Sequence, residues 1–205
     1  MVDTFESPTS GRVVPLRCAP GARAAWGRSS AVVYLWGVAE RLLVTNSWQI
    51  SSRLRCATLR LFGAQIGERV TFRPRTRVLF PWKLVIGDDC WIGEGVWFHN
   101  QDTILLEHDV VISQETFLTT GSHAHRRDMA LLTRPITIKS GAWITSRCVV
   151  LGGVTVGRSA LVTPGSVVSQ DVAPERIISQ SPTEIRDNGW RFEDRQKPGN
   201  KNNPS

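Results

Sequence analysis

The sequence has no window approaching ~20 uninterrupted apolar residues, which excludes a membrane-spanning helix. Its most apolar N-terminal run, SSAVVYLWGVAERLLV, is broken by Glu40 and Arg41. Cysteine is sparse and scattered, at Cys18, Cys56, Cys90 and Cys148. These four make neither a CxxC zinc pattern nor a dense disulfide framework, so a reducing, cytoplasmic setting is expected. Near the N-terminus, where Asp3 and Glu6 stand, there is no apolar core of about 7 to 15 residues, and the start reads as a poor secretory signal. Basic runs are missing as well, which argues against nucleic-acid binding. What remains is an excess of 25 Lys+Arg over 18 Asp+Glu, a net charge of +7 on 205 residues. Such a surface attracts anions: an acidic membrane face, or a phosphate-rich small molecule.

Against these absences stands a strict internal repeat. From Ile138 the chain reads IKSGAW, ITSRCV, VLGGVT, VGRSAL, VTPGSV, with Ile138, Ile144, Val150, Val156, Val162 and Val168 six residues apart. The fourth residue after each is small: Ala142, Cys148, Val154, Ala160, Ser166, Val172. The same beat runs upstream in triplets, Ile66–Phe72–Val78, Ile86–Ile92–Phe98 and Leu106–Ile112–Leu118, separated by steps of eight. Neither a period of 2 nor one of 3.6 produces this, whereas a parallel β-helix does. Each hexad is a short strand and a corner, and three hexads close a triangular coil. About five coils are expected between Ile66 and Val172. Cys90 and Cys148 fall on the small inward position and read as core filler. Gly67, Gly87, Gly93 and Gly157 directly follow a core aliphatic, where the bend makes the missing Cβ useful.

Residues 26–63 carry apolar residues at three- and four-residue steps, with Trp26, Trp36 and Trp48 interleaved with arginine. Two amphipathic helices fit, used to cap the solenoid end. Peripheral membrane contact is the alternative use. The domain reading is therefore an extension expected to be disordered over 1–25, a helical segment over 26–63, the β-helix over 64–173 with a loop at 121–135, and a C-terminal segment and tail over 174–205.

The strings RLFGAQIG, PWKLVIGDDCWIG, VISQETFLTTGSHAH, PITI, GAWI and GGVTVG resemble those of the hexapeptide-repeat, left-handed β-helix acyltransferases. Within these the chain resembles most nearly the colanic acid biosynthesis acetyltransferases, which are similar to galactoside, maltose and nodulation-factor acetyltransferases. The resemblance spans about Arg53 to Arg186. It implies a homotrimer that transfers acetyl from acetyl-CoA to the hydroxyl of a sugar or glycan precursor, with the site between subunits and no resident metal. The N-terminal segment does not match the sugar-contacting segment of the galactoside or maltose enzymes, so the acceptor stays unnamed.

The metre breaks once. After Leu118 it resumes only at Ile138, so about 12 extra residues leave the wall as a loop that opens with TTGSHAHRRD. Acyl transfer to a hydroxyl needs a base for its proton, and histidine suits that role near neutral pH. An ungapped match of ISQETFLTTGSH to the galactoside enzymes puts their catalytic histidine on His123, with His125 ranked second. A carboxylate or a backbone carbonyl on Nδ1 would fix the tautomer. Glu115 and Asp128 are the nearby acids, and the choice stays open. The resemblance also implies an acceptor contact from Asn100. Along the CoA arm it implies Trp143, Ser146, Thr163 and Pro164, with Ser169 and Gln170 at the phosphate end. Gln170 replaces a lysine there, so phosphate affinity is expected from Arg147, Arg158 or Arg176, and SQSPTEI keeps only Pro182 of another segment of the pattern. Three rival readings are a zinc enzyme of the carbonic-anhydrase type using His99, His123 and His125, a non-catalytic β-helix scaffold, and serine acetylation.

Overall fold

The computed structural model describes residues 14–179. Three parallel sheets run the length of a solenoid. The first holds Gln65–Ile66, Leu84–Ile86, Ile104–Leu106, Ile136–Ile138 and Thr155–Val156. Thr71–Phe72, Trp91–Ile92, Val111–Ile112, Trp143–Ile144, Leu161–Val162 and Ile177–Ile178 form the second. The third is built from Arg77–Val78, Trp97–His99, Phe117–Thr119, Val149–Leu151 and Val167–Val168. One strand from each sheet makes a coil.

The register explains the six-residue beat. Ile66 pairs with Ile86, Ile86 with Leu106, Leu106 with Ile138 and Ile138 with Val156, so each core aliphatic stacks on its equivalent one coil away. The small positions Thr76, Cys90, Val96, Val110, Thr116, Ala142, Cys148 and Ala160 are buried beside those stacks. Thr76 and Thr116 satisfy their hydroxyls on backbone carbonyls, so their burial leaves no orphaned donor. There are about six turns, one more than expected. The last is opened by Val172, bridging to Val156, and continued by Ile177–Ile178 beside Leu161–Val162. Its hexad beat fails after Val168, which hid it from the pattern.

The glycines are where the repeat put them, for a different reason. Gly67, Gly87, Gly93 and Gly157 lie outside the left-handed region, and each abuts the next coil. A Cβ on Gly93 would sit 2.7 Å from the Gln114 amide nitrogen. Left-handed backbone falls three residues after the core aliphatic of a hexad, mostly on non-glycine residues such as Arg69, Asp89, Asp109, Glu115 and Arg147.

Helices α1 (Ser30–Ala39) and α2 (Ser52–Leu61) close the first coil. A sheet edge exposes unpaired amides and carbonyls, and this segment bonds them. Trp36 Nε1 donates to the Val78 carbonyl at 2.9 Å, and Val78 N donates to Glu40 Oε1 at 2.7 Å. Phe72 N donates to Ser52 Oγ at 2.7 Å. Buried Arg55 donates to the carbonyls of Val44, Asn46, Gln49 and Phe72, tying the inter-helix loop to the coil. Before α1, Leu16–Cys18 and Ala22–Trp26 form short 3-10 turns. Gln180, Pro182 and the tail lie outside the described residues, as does most of the expected N-terminal extension. No described helix is long and apolar enough to cross a membrane.

Candidate active site

The break in the metre is a β-hairpin. Gly121–His123 pairs antiparallel with Leu131–Thr133, placing His123 opposite Leu131. Its tip is wound on the Ala124 carbonyl, which accepts from the amides of Arg127, Asp128 and Met129. Met129 is forced into the left-handed region at φ 58°. Its carbonyl lies 2.9 Å from His123 Nδ1. A carbonyl only accepts, so Nδ1 carries a hydrogen, and in the neutral tautomer the lone pair is on Nε2. The ring is exposed.

Neither nearby acid touches that ring. Asp128 Oδ1 accepts from Ala130 N at 3.0 Å within the tip, and Glu115 stands at another corner with Arg147 Nε on its Oε2 at 2.8 Å. His125 lies past the strand, in the exposed turn of the tip. His99 is half-buried in the wall, its Nδ1 3.0 Å from Thr119 Oγ1. Burial, reinforced by Arg77, lowers its pKa. No three His, Cys, Asp or Glu side chains converge as a metal-binding group among the described residues.

Asn100 departs from the expectation. It is fully buried, with Oδ1 accepting from Phe80 N at 3.0 Å and Nδ2 donating to the Phe80 carbonyl at 2.6 Å. Asparagine there pins two coils together at the corner before the hairpin, and it presents no exposed atom to an acceptor. A hollow of about 420 Å³ lies beside the hairpin instead, bounded by Pro20–Ala22, Lys83, Gln101, Asp102, Leu131 and Thr133. Lys83 Nζ donates to the carbonyls of Ala25 and Gln101, fastening the N-terminal segment to the wall. The pattern did not mark these residues, because they belong to a corner insertion and to a segment without repeats.

Of the six residues expected along the cofactor arm, three come together. Trp143, Ser146 and Pro164 line a groove of about 860 Å³ along the outer face of the second sheet, with Trp91, Ser113 and Gln114. Trp143 Nε1 donates to Ser113 Oγ at 2.9 Å, and Ser146 Oγ donates to Gln114 Oε1 at 3.1 Å. Gln114 was legible in principle: it follows Ile112 by two residues as Ser146 follows Ile144, so they share one corner on adjacent coils. The groove continues into a second hollow at Glu115, Arg147 and Gly165. Thr163 turns its hydroxyl to Ser166 Oγ at 3.2 Å. Ser169 and Gln170 are exposed past Val167–Val168, at the prism edge that carries the hairpin. Within one chain, then, His123 and the groove lie on different edges of the prism.

No protein-family model matches the chain. Over 66 residues, 32% of this chain, it is 39% identical to WcaF of Escherichia coli K12, a protein assigned by name to colanic acid biosynthesis as an acetyltransferase. That match spans 36% of the relative's length, and a Shigella flexneri protein of the same name matches equally. A hexapeptide-repeat acetyltransferase of Vibrio cholerae, solved with acetyl coenzyme A, superposes with a TM-score of 0.68 at 26% identity, covering 76% of this chain and 87% of that one. A galactoside acetyltransferase solved with coenzyme A gives 0.64 at 20% identity, over 85% and 88% of the two chains. A maltose O-acetyltransferase of Clostridium difficile gives 0.61 at 18%, over 74% and 84%. The fold is that of the hexapeptide-repeat acetyltransferases.

Proposed function

We propose that this protein transfers an acetyl group from acetyl-CoA to a sugar hydroxyl, as a cytoplasmic homotrimer serving exopolysaccharide or glycolipid biosynthesis. The observation that carries the reading is the His123 Nδ1 bond to the Met129 carbonyl, which orients the ring on the hairpin and leaves Nε2 of the neutral imidazole as the acceptor. Nε2 takes the proton of the acceptor hydroxyl as its oxygen attacks the thioester carbonyl. The carbon–sulfur bond breaks, and the imidazolium returns the proton to the departing thiolate. The hollow walled by Pro20–Ala22, Gln101 and Asp102 adjoins the hairpin through Leu131 and Thr133 and would receive the acceptor.

The Trp143–Pro164 groove suits a pantetheine arm: it pairs apolar wall with the hydroxyls of Ser113 and Ser146. Arg147, clamped by Glu115 and still 77% exposed, stands at its end as a cation for phosphate. The Vibrio cholerae and galactoside relatives, solved with acetyl coenzyme A and coenzyme A, support this use of the fold. Because His123 and the groove occupy different edges of one chain, we assign each site to two neighbouring copies.

The test is thiol release from acetyl-CoA across a panel of sugar acceptors, followed by mixing of inactive variants. Co-expressed His123→Ala and Trp143→Ala chains should regain activity, since some interfaces join two intact halves. No release with any acceptor sinks the function, and no recovery on mixing sinks the shared site.

A further inference from the structure

Helix α1 is apolar on both sides. Its inner side packs on the first coil through Trp36, but Tyr34, Leu35 and Val38, with Leu42 of the helical turn Glu40–Val44 that continues it, are exposed on the other. A helix that is apolar all round is ordinarily covered on every side. Beyond it the inter-helix loop raises Trp48, 93% exposed, and Ile50, 87% exposed. An apolar hollow of about 440 Å³ between Val32, Leu35, Leu61 and Phe62, with Arg28 at its rim, joins α1 to the end of α2 as one surface.

Within residues 14–63 the exposed charge has one sign. Arg17, Arg23, Arg28, Arg41, Arg53 and Arg60 are exposed. The only acid between residues 14 and 63 is Glu40, which turns inward onto Val78 N. Protruding tryptophan and aliphatic side chains ringed by arginine fit a bilayer interface with anionic headgroups. No described helix can span, so the contact lies in the interface plane.

We propose that residues 14–63 dock this protein on the surface of an anionic phospholipid bilayer. Trp48, Ile50 and the outer face of α1 enter the interface, and the exposed arginines meet the headgroups. None of these side chains lines the His123 hairpin, the hollow beside it or the Trp143 groove, although Pro20–Ala22 of the same segment wall that hollow, so the docking variants leave the acetyl-transfer site intact.

The test is flotation of the full-length protein with vesicles of phosphatidylcholine alone or with about 30% phosphatidylglycerol, at about 50 and 300 mM salt. The expected result is at least tenfold higher partitioning onto the anionic vesicles, lost at high salt. Each exposed arginine contributes about fivefold near such a surface, so Arg41→Glu with Arg53→Glu should cut partitioning by more than tenfold. Trp48→Ala with Ile50→Ser should do the same, leaving melting temperature, oligomeric state and thiol release unchanged. Absence of flotation, equal flotation on both vesicle types, or indifference to these variants overturns the proposal. So does dissociation of the oligomer by Trp48→Ala with Ile50→Ser, which would make the face a contact between copies.

Discussion

Glu107 offers the sharpest test of how the solenoid survives its own interruption. It follows Leu106 in the coil before the hairpin, and its carboxylate reaches across to the coil after it. Oε1 accepts from Lys139 Nζ at 2.8 Å, and Oε2 accepts from Ser140 N at 3.0 Å and Ser140 Oγ at 2.8 Å. Those three donors, Lys139 first, hold the carboxyl at about 2 instead of the ordinary 4.5. The full drop corresponds to about 3.4 kcal/mol. With 32% of the side chain exposed, solvent screening reduces this to roughly 1–2 kcal/mol. The folded pKa lies below the unfolded one, so the contribution is complete above about pH 5. It fades as pH falls from about 4.5 to 2, where the unfolded chain binds a proton that the folded chain refuses. Glu107→Ala should therefore lower the melting temperature by roughly 2–8 °C at pH 7 and by much less near pH 2.5. The assay is thermal unfolding of both proteins across pH at one concentration. An equal deficit at pH 7 and pH 2.5 would refute the reasoning, because then the loss is not that of a charged clamp.

Two glycines separate close approach from backbone conformation. Gly93→Ala drives a Cβ to 2.7 Å from Gln114 N and should cost more than about 2 kcal/mol. Gly165→Ala meets nothing within 4 Å but holds φ +74°, and should cost only about 1 kcal/mol; urea unfolding ranks them, and the reverse order contradicts the stacking account. Asn100→Ala strands the buried Phe80 amide, whereas the Phe80 carbonyl keeps its bond from Lys83 N, and it should destabilise by roughly 1–3 kcal/mol. The KM for the acceptor should not change, whereas a raised KM at constant stability would return Asn100 to the site.

The core was legible because burial on a solenoid obeys one rule repeated: Ile66, Ile86, Leu106, Ile138 and Val156 differ in sequence context but occupy one stack. Where the beat failed, reading failed with it. Ile178 escaped notice because its coil is shorter, and the hairpin was visible only as a gap of unspecified shape. Side-chain roles at corners were harder still. Asn100 and Glu115 are both polar residues near a break, yet one is buried in the backbone ladder and the other pairs with an arginine on the surface. The group that orients His123 is a main-chain carbonyl, set by the left-handed turn at Met129, and no side-chain pattern announces it.

The most direct measurement is thiol release by His123→Ala on the best acceptor, with circular dichroism and melting temperature in parallel. The ring is exposed and bonded to the Met129 carbonyl alone, so folding should be unaffected. Removing a general base should lower kcat by roughly 10²–10⁴-fold while the KM for acetyl-CoA stays near that of the wild type. Turnover near wild type in a folded His123→Ala protein would contradict the account.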